Sequence, residues 1–491
     1  MSLAHKAARG AVWAIMTSIG GRIIGVLGTL VMTRFLDPDI IGEVSDAAIL
    51  CFTMGWLTNW GFGQYAVIKG RGDDAAEVTW HAVVAYLGLG FVGLSAIAAF
   101  GGHLTPLLHA PHAAVYVPGM ALAIFIRRIA FIPERVLLRQ MQFGASGLSM
   151  FLGEASYTVA ALAFAWRGFG GMSVVYANIV QSTAVVVITL RASGIRSWAT
   201  PTKLRWSRFR AMARFGIPLM IQGVAHGASR YWDNLTVSRL FGPAATGTYN
   251  MAYNLADIPA IQVGEQIALV LLPSMAELPA EQRPRAVERS AALLSLVLFP
   301  MAVGLGLIAY PLIALILPAD KWQEVAPLLT VLTSLSVFRP FVYVLGTYME
   351  AQGRTNRLMF LEIGKLGVLI AGIVALSPLG LRVASAAVGL SFGATAIGAA
   401  LVVSGDGLSF KRLLLGFLEP LLACGVMAAA VVGANLGLDA AGLAHPAVQL
   451  VVDIVVGGAA YVAGALLLAR STSRDLLRLL KRTLKRGTSA A

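Results

Sequence analysis

Arg22, Arg230, Arg339 and Lys365 stand inside segments that are otherwise apolar, and so do the carboxylates Asp46, Glu154, Asp257 and Glu265. If those segments cross a bilayer, each ionised group costs about 2.5–3.5 kcal/mol at mid-membrane, so it must face a cavity or a partner. A guanidinium meets phosphate oxygens through a planar fork of donors. Arg22 lies midway along its segment, and Arg230 lies three residues beyond Gly227, which an internal repeat described below makes equivalent to position 22. Residues three apart share a helix face, so both halves of the chain can point a cation at one central space, where an anion would find a partner. Arg339 and Lys365 extend that reading, and pairing with carboxylates such as Asp46 or Asp233 is the plainer alternative. Arg127 and Arg128 are expected to snorkel to the cytoplasmic interface.

The carboxylates suggest a second kind of chemistry. Asp257 and Glu265 are eight residues apart, close to one helix face after two turns, with Asn250 and Asn254 on a neighbouring stripe. A carboxyl whose exposure to water changes can take up or release a proton, so Asp46, Glu154, Asp257 or Glu265 can couple movement to an ion gradient; interhelical hydrogen bonding is the commoner fate. Trp13, Trp56, Trp60, Tyr65, Tyr231, Trp232, Tyr249 and Tyr253 either line the cavity and stack on a ligand's rings or belong to interfacial belts and helix packing. His103, His109 and His112 share one loop, which reads as solvated rather than as a metal site or pH sensor. Cys51 and Cys424 lie in apolar runs as small packing residues, and the sequence shows no metal-ligand cluster, phosphate-binding glycine loop, nucleophile elbow or zinc motif. Neither a catalytic group nor a cofactor is expected.

The elements that position these groups must be membrane helices. With 57% hydrophobic and 13% charged residues in 491, and a mean hydropathy of +0.76, the chain lacks the polar surface to coat a soluble globule. A spanning helix needs roughly 20 mainly apolar residues, and that ruler finds about fourteen. They lie near 10–33, 40–66, 79–101, 113–133, 145–166, 171–191, 215–237, 246–273, 290–314, 324–349, 357–377, 382–404, 412–434 and 447–469. The first is read as a retained helix rather than a cleaved signal, because the apolar stretch after Lys6 and Arg9 runs past Arg22 to Met32.

The net charge of +14 is distributed as a topology signal, not as a nucleic-acid footprint. Lys and Arg concentrate in the N-terminus, alternate connections and the C-terminal tail, while only Arg34, Arg167, Arg239, Lys321 and Arg382 fall in the other connections. Positive loops stay on the cytoplasmic side, so both termini are expected there. The chain divides into an N-terminal lobe at 1–192, a basic cytoplasmic linker at 193–213, a C-terminal lobe at 214–405, two further helices in 406–469 and a basic tail at 470–491. In that tail Leu476, Leu477, Leu480 and Leu484 alternate with Arg and Lys, the pattern of an interfacial helix held by anionic lipids.

An internal repeat supports two lobes. Thr33-Arg34-Phe35-Leu36-Asp37-Pro38 through Gly42 aligns without a gap on Ser238-Arg239-Leu240-Phe241-Gly242-Pro243 through Gly247. Six helices precede the second copy, so the lobes are parallel and pseudo-symmetric about the membrane normal. The expected fold is all-α: two six-helix lobes around a central cavity, plus two C-terminal helices.

Arg9-Gly10-Ala11-Val12-Trp13, then Thr33 to Pro38 and Gly42, resembles the opening of polysaccharide flippases of the multidrug/oligosaccharidyl-lipid/polysaccharide exporter superfamily. The second copy, closing with Leu271-Leu272-Pro273-Ser274-Met275, is similar to the start of that family's second lobe. The resemblance implies a bacterial inner-membrane exporter that moves undecaprenyl-pyrophosphate-linked oligosaccharide from the cytoplasmic to the periplasmic leaflet for exopolysaccharide, capsule or O-antigen assembly, by alternating access. Polysaccharide polymerase machinery is an expected partner. A lipid II flippase or a cation-coupled multidrug exporter of the same superfamily is the alternative. A membrane-embedded polymerase or ligase is disfavoured by the short periplasmic connections.

Overall fold

A computed structural model describes residues 20–21, 23–70, 74–139, 142–195, 198–260, 264 and 278–478. Among these every regular element is a helix, as a chain dissolved in lipid requires, since helices close their own backbone hydrogen bonds. Ten of the described helices are long and apolar enough to cross a membrane, so the protein is a multi-pass membrane protein. The chain packs as two compact units, Met1–Gly247 and Thr248–Ala491. The helix that follows the basic linker packs against helices of the first unit.

The first unit holds α1 (Ile23–Met32), α2 (Pro38–Leu57), α3 (Phe62–Lys69) and α4 (Ala75–Phe100). α5 (Val117–Arg139), α6 (Phe143–Trp166), α7 (Met172–Ser193) and α8 (Trp206–Phe241) follow. Pro38 occupies the first turn of α2 after an extended Asp37, the position where a missing N–H costs nothing. The single span expected at 40–66 is instead two helices: α2 ends at a Thr58 cap, and Gly61, at φ +62°, starts α3. That turn lies against α8, where a Cβ on Gly216 would sit 1.6 Å from the Trp60 carbonyl oxygen. α8 has 36 residues, about 54 Å at 1.5 Å per residue, well beyond a hydrocarbon core of about 30 Å. Its first turns are the end of the basic linker: Arg208 reaches Asp74 at 2.7 Å and Glu77 at 3.3 Å, and the Arg205 amide donates to His81 Nε2 at 2.8 Å. The Asp74 hydrogen bond holds the Arg208 guanidinium above its ordinary pKa.

The two copies of the repeat meet at their glycines. A Cβ on Gly42 would lie 1.9 Å from the carbonyl oxygen of Pro243, and one on Gly247 would lie 1.8 Å from the carbonyl oxygen of Pro38. Each copy's glycine thus accommodates the other copy's proline.

The second unit includes α9 (Pro243–Pro259) from Thr248 on, then α10 (Arg283–Leu307), α11 (Ala309–Ile316), α12 (Val325–Leu332) and α13 (Ser334–Ala351). α14 (Thr355–Leu376), α15 (Ala386–Val403), α16 (Phe410–Ala440) and α17 (Pro446–Leu468) complete it. Its core joins α10, α13, α15, α16 and α17. Phe417 lies 5.2–5.6 Å from the rings of Phe299, Phe338 and Phe341, and the buried Tyr461 hydroxyl donates to the Leu296 carbonyl at 2.7 Å. Residues 470–478 continue as helix. They pack Leu476 on this core and pair Asp475 with Arg289 at 3.0 Å, so this part of the tail is tied to protein as well as amphipathic.

Candidate functional site

Four of the expected spans are not among the ten apolar helices found in the described residues. Of the first, only Ile23–Met32 is described as helix, and it is short. The eighth is described only in part, and Glu265 and Arg22 both lie outside the described residues. α5 and α8 have the length but carry too many polar groups. Helices of that composition must turn their charges toward protein, and α5 does so: it packs against α2, α4 and α7.

A cleft of about 410 Å³ lies among those helices in the first unit. α5 presents Arg127, Arg128 and Glu134, and α7 presents Asn178 and Gln181. α2 and its turn add Phe52, Trp56 and Asn59, and α4 adds Tyr86. Arg127 pairs with Glu134 at 2.7 Å. Arg128 does not snorkel: it is 4% exposed, midway along α5. Its Nη1 donates to Thr58 Oγ1 at 2.9 Å, its Nη2 donates to the Gly55 carbonyl at 3.1 Å, and its guanidinium lies 4.2 Å from the Tyr86 ring centroid. It therefore caps the last carbonyls of α2, at the negative end of that helix dipole. A Cβ on Gly90 would fall 2.0 Å from Arg128 Nη1, so the facing helix makes room for it. Among the described residues no carboxylate pairs with Arg128, and its Nε has no hydrogen-bond partner.

Other predicted residues lie in the same unit, some of them beside the cleft. Gln181 bridges it to Glu154, donating to Oε1 at 2.9 Å. Tyr231 stacks on Trp56 with centroids 5.8 Å apart, and the Arg230 guanidinium lies 5.9 Å from the Tyr231 ring. Asp46 is fully buried and is bonded to Ser238, whose hydroxyl also lies 3.0 Å from the Leu108 carbonyl oxygen. Trp232 donates to Thr53 at 3.1 Å, and Tyr65 packs edge-on against Phe215. His109 contacts Arg239; among the described residues no group of three metal-ligating side chains forms.

The second unit has its own charged cluster. Arg339 forms a buried ion pair with Asp257, and its Nη1 lies 3.3 Å from the Tyr343 hydroxyl. Lys365 pairs with Glu362 at 2.7 Å. Both cations approach Phe392, at 4.7 Å and 5.0 Å from the ring centroid. This cluster is neutral, two cations against two carboxylates; the first unit's cleft is lined by Arg127, Arg128 and Glu134, with Glu154 reached through Gln181. Sequence reading missed Arg128 because it ended the fourth span at 133. The helix runs to Arg139, which moves the arginines from the last turn to the middle.

The description polysaccharide biosynthesis protein belongs to a family model that matches residues 31–327. The succinoglycan biosynthesis transport protein ExoT of Rhizobium meliloti (strain 1021) is 25% identical over 477 residues, covering 95% of this chain and 94% of ExoT. The lipopolysaccharide biosynthesis protein WzxC of Escherichia coli (strain K12) is 22% identical over 382 residues, 76% of each chain. Among solved structures, the lipid II flippase MurJ in an inward closed conformation superposes with a TM-score of 0.75 at 13% identity, covering 94% of this chain and 100% of MurJ. An inward-facing multidrug resistance MATE family transporter of the MOP superfamily gives 0.65 at 16%, covering 80% of this chain and 98% of that one. These superpositions show that the chain shares the fold of those two structures.

Proposed function

We propose, from the premise that this chain belongs to the polysaccharide biosynthesis protein family, that it is a flippase. Its cargo is undecaprenyl-pyrophosphate-linked oligosaccharide, carried from the cytoplasmic to the periplasmic leaflet of the bacterial inner membrane by alternating access, with both termini cytoplasmic. The relative that matches nearly end to end is named a succinoglycan transport protein, and the positive-inside distribution supports the orientation.

The observation that carries the reading is a polar cleft within a membrane-embedded unit whose wall holds Arg128, with no carboxylate paired to it among the described residues. A site for cationic drugs would carry the opposite charge. Arg22 and Arg230 hold the diphosphate through their guanidinium forks. Arg339 and Lys365 are held by Asp257 and Glu362, so a phosphate contact would require them to give up those partners, and Asp257 serves better as the ion-coupling carboxyl. Asp46 and Glu154 remain secondary sites for coupling. Anionic lipids hold the basic end of the tail, and polymerase machinery receives the cargo. The cargo crosses unchanged, so the protein is a carrier and not an enzyme.

The test is leaflet translocation of a fluorescent undecaprenyl-pyrophosphate oligosaccharide in proteoliposomes. Wild type is expected to expose the label to an external quencher, with Arg22→Ala and Arg230→Ala slower at matched insertion. No transfer by wild type across several glycans and ion gradients would sink the flippase reading.

A further inference from the structure

The first unit's cleft has a chemistry more particular than a diphosphate needs. A diphosphate asks for cations and donors. Here the cations share the wall with Trp56, an indole face, and with the planar amides of Asn59, Asn178 and Gln181. Aromatic faces and side-chain amides are the groups that meet a pyranose, whose C–H face is apolar and whose rim is hydroxyl. At about 410 Å³, the space falls within the ordinary range for small-ligand sites, about 300–1,000 Å³.

Arg128 adds the charge requirement. A guanidinium has five N–H donors; Thr58 and Gly55 take two, and these bonds fix its plane. Its Nε is buried with no partner, and a 4% exposed cation has no carboxylate beside it among the described residues. Glu134 neutralises Arg127 at 2.7 Å and so leaves Arg128 as the uncompensated charge. An anion supplied by the ligand completes the site.

We propose that this cleft is a subsite for an acidic sugar, with Trp56 against the ring, the amides on its hydroxyls and the sugar carboxylate drawn to Arg128. The proposal rests on the glycan-cargo reading above and adds to it a preference for glycans that bear a carboxylate. A diphosphate linkage offers the same paired oxygens, so the two sources must be separated.

The full chain in lipid nanodiscs is titrated with cellobiouronic acid, cellobiose and inorganic pyrophosphate by ligand-observed NMR. The acid is expected to bind about tenfold or more tighter than cellobiose, with pyrophosphate unable to displace it from the cleft. Arg128→Gln and Asn178→Asp are both expected to bring the ratio of the two disaccharides toward one. Asn178→Asp puts a near-isosteric negative group on the wall; should Arg128→Gln fail to fold through loss of the α2 cap, it decides alone. Equal binding of the disaccharides by wild type, an undiminished preference in Asn178→Asp, or displacement of both sugars by pyrophosphate overturns the assignment. Soluble disaccharides report on the cleft without translocation, so failure here leaves the leaflet-transfer reading to its own assay.

Discussion

Replacing Arg339 with methionine removes a guanidinium from a partner that water does not reach. In the pair with Asp257 the two side chains are 8% and 6% exposed, so little solvent screening offsets the loss. Breaking such a pair from one side costs about 3–5 kcal/mol, while replacing both partners with apolar groups is often neutral or better. The long contact to Tyr343, at 3.3 Å, and the approach to the Phe392 ring add smaller amounts. Arg339→Met is therefore expected to lose about 3–5 kcal/mol, and Arg339→Met/Asp257→Leu to recover most of it. The assay is reversible unfolding by SDS in mixed micelles, run on wild type, both single variants and the double. A single-variant cost below about 1 kcal/mol, the size typical of an exposed pair, would refute the reasoning. So would a double variant whose loss equals the sum of the singles.

Three further outcomes follow from contacts described above. Gly216→Ala places a methyl 1.6 Å from the Trp60 carbonyl oxygen, and is expected to lower the folded yield sharply by size-exclusion profile, whereas Gly367→Ala, with nothing within 4 Å, leaves it unchanged. Arg208→Ala frees the linker from Asp74 and Glu77; limited trypsin cleavage near residues 203–205 is expected to quicken, with less than about 1 kcal/mol lost in global stability because the pairs are partly exposed. Tyr461→Phe leaves the buried Leu296 carbonyl without its donor at 2.7 Å, costing about 1–3 kcal/mol in the same SDS unfolding.

Fold class was legible because a hydrophobic run long enough to span has few alternatives, and most of the apolar segments became helices within a few residues of their expected limits. The failures share a cause. Asn59-Trp60-Gly61 breaks a run that hydropathy alone leaves continuous, since the signal is a glycine at positive φ rather than a polar insertion. α5 was misplaced by its ends: apolar windows stop at Pro133 and Glu134, yet proline is tolerated inside this helix, which runs on to Arg139. The site suffered more, because pairing is a tertiary fact. Asp257 and Arg339 stand far apart in sequence, and nothing local says that they meet. The one clue to Arg128 was two adjacent arginines inside an apolar run, and a shifted boundary hid it.

Gly42 and Gly247 constrain each other's copy of the repeat. Each glycine is hemmed in by the backbone of the opposite copy, and a carbonyl oxygen cannot move aside as a side-chain tip can. A mutation in one copy thus meets an obstacle that belongs to the other, and no single change relieves both.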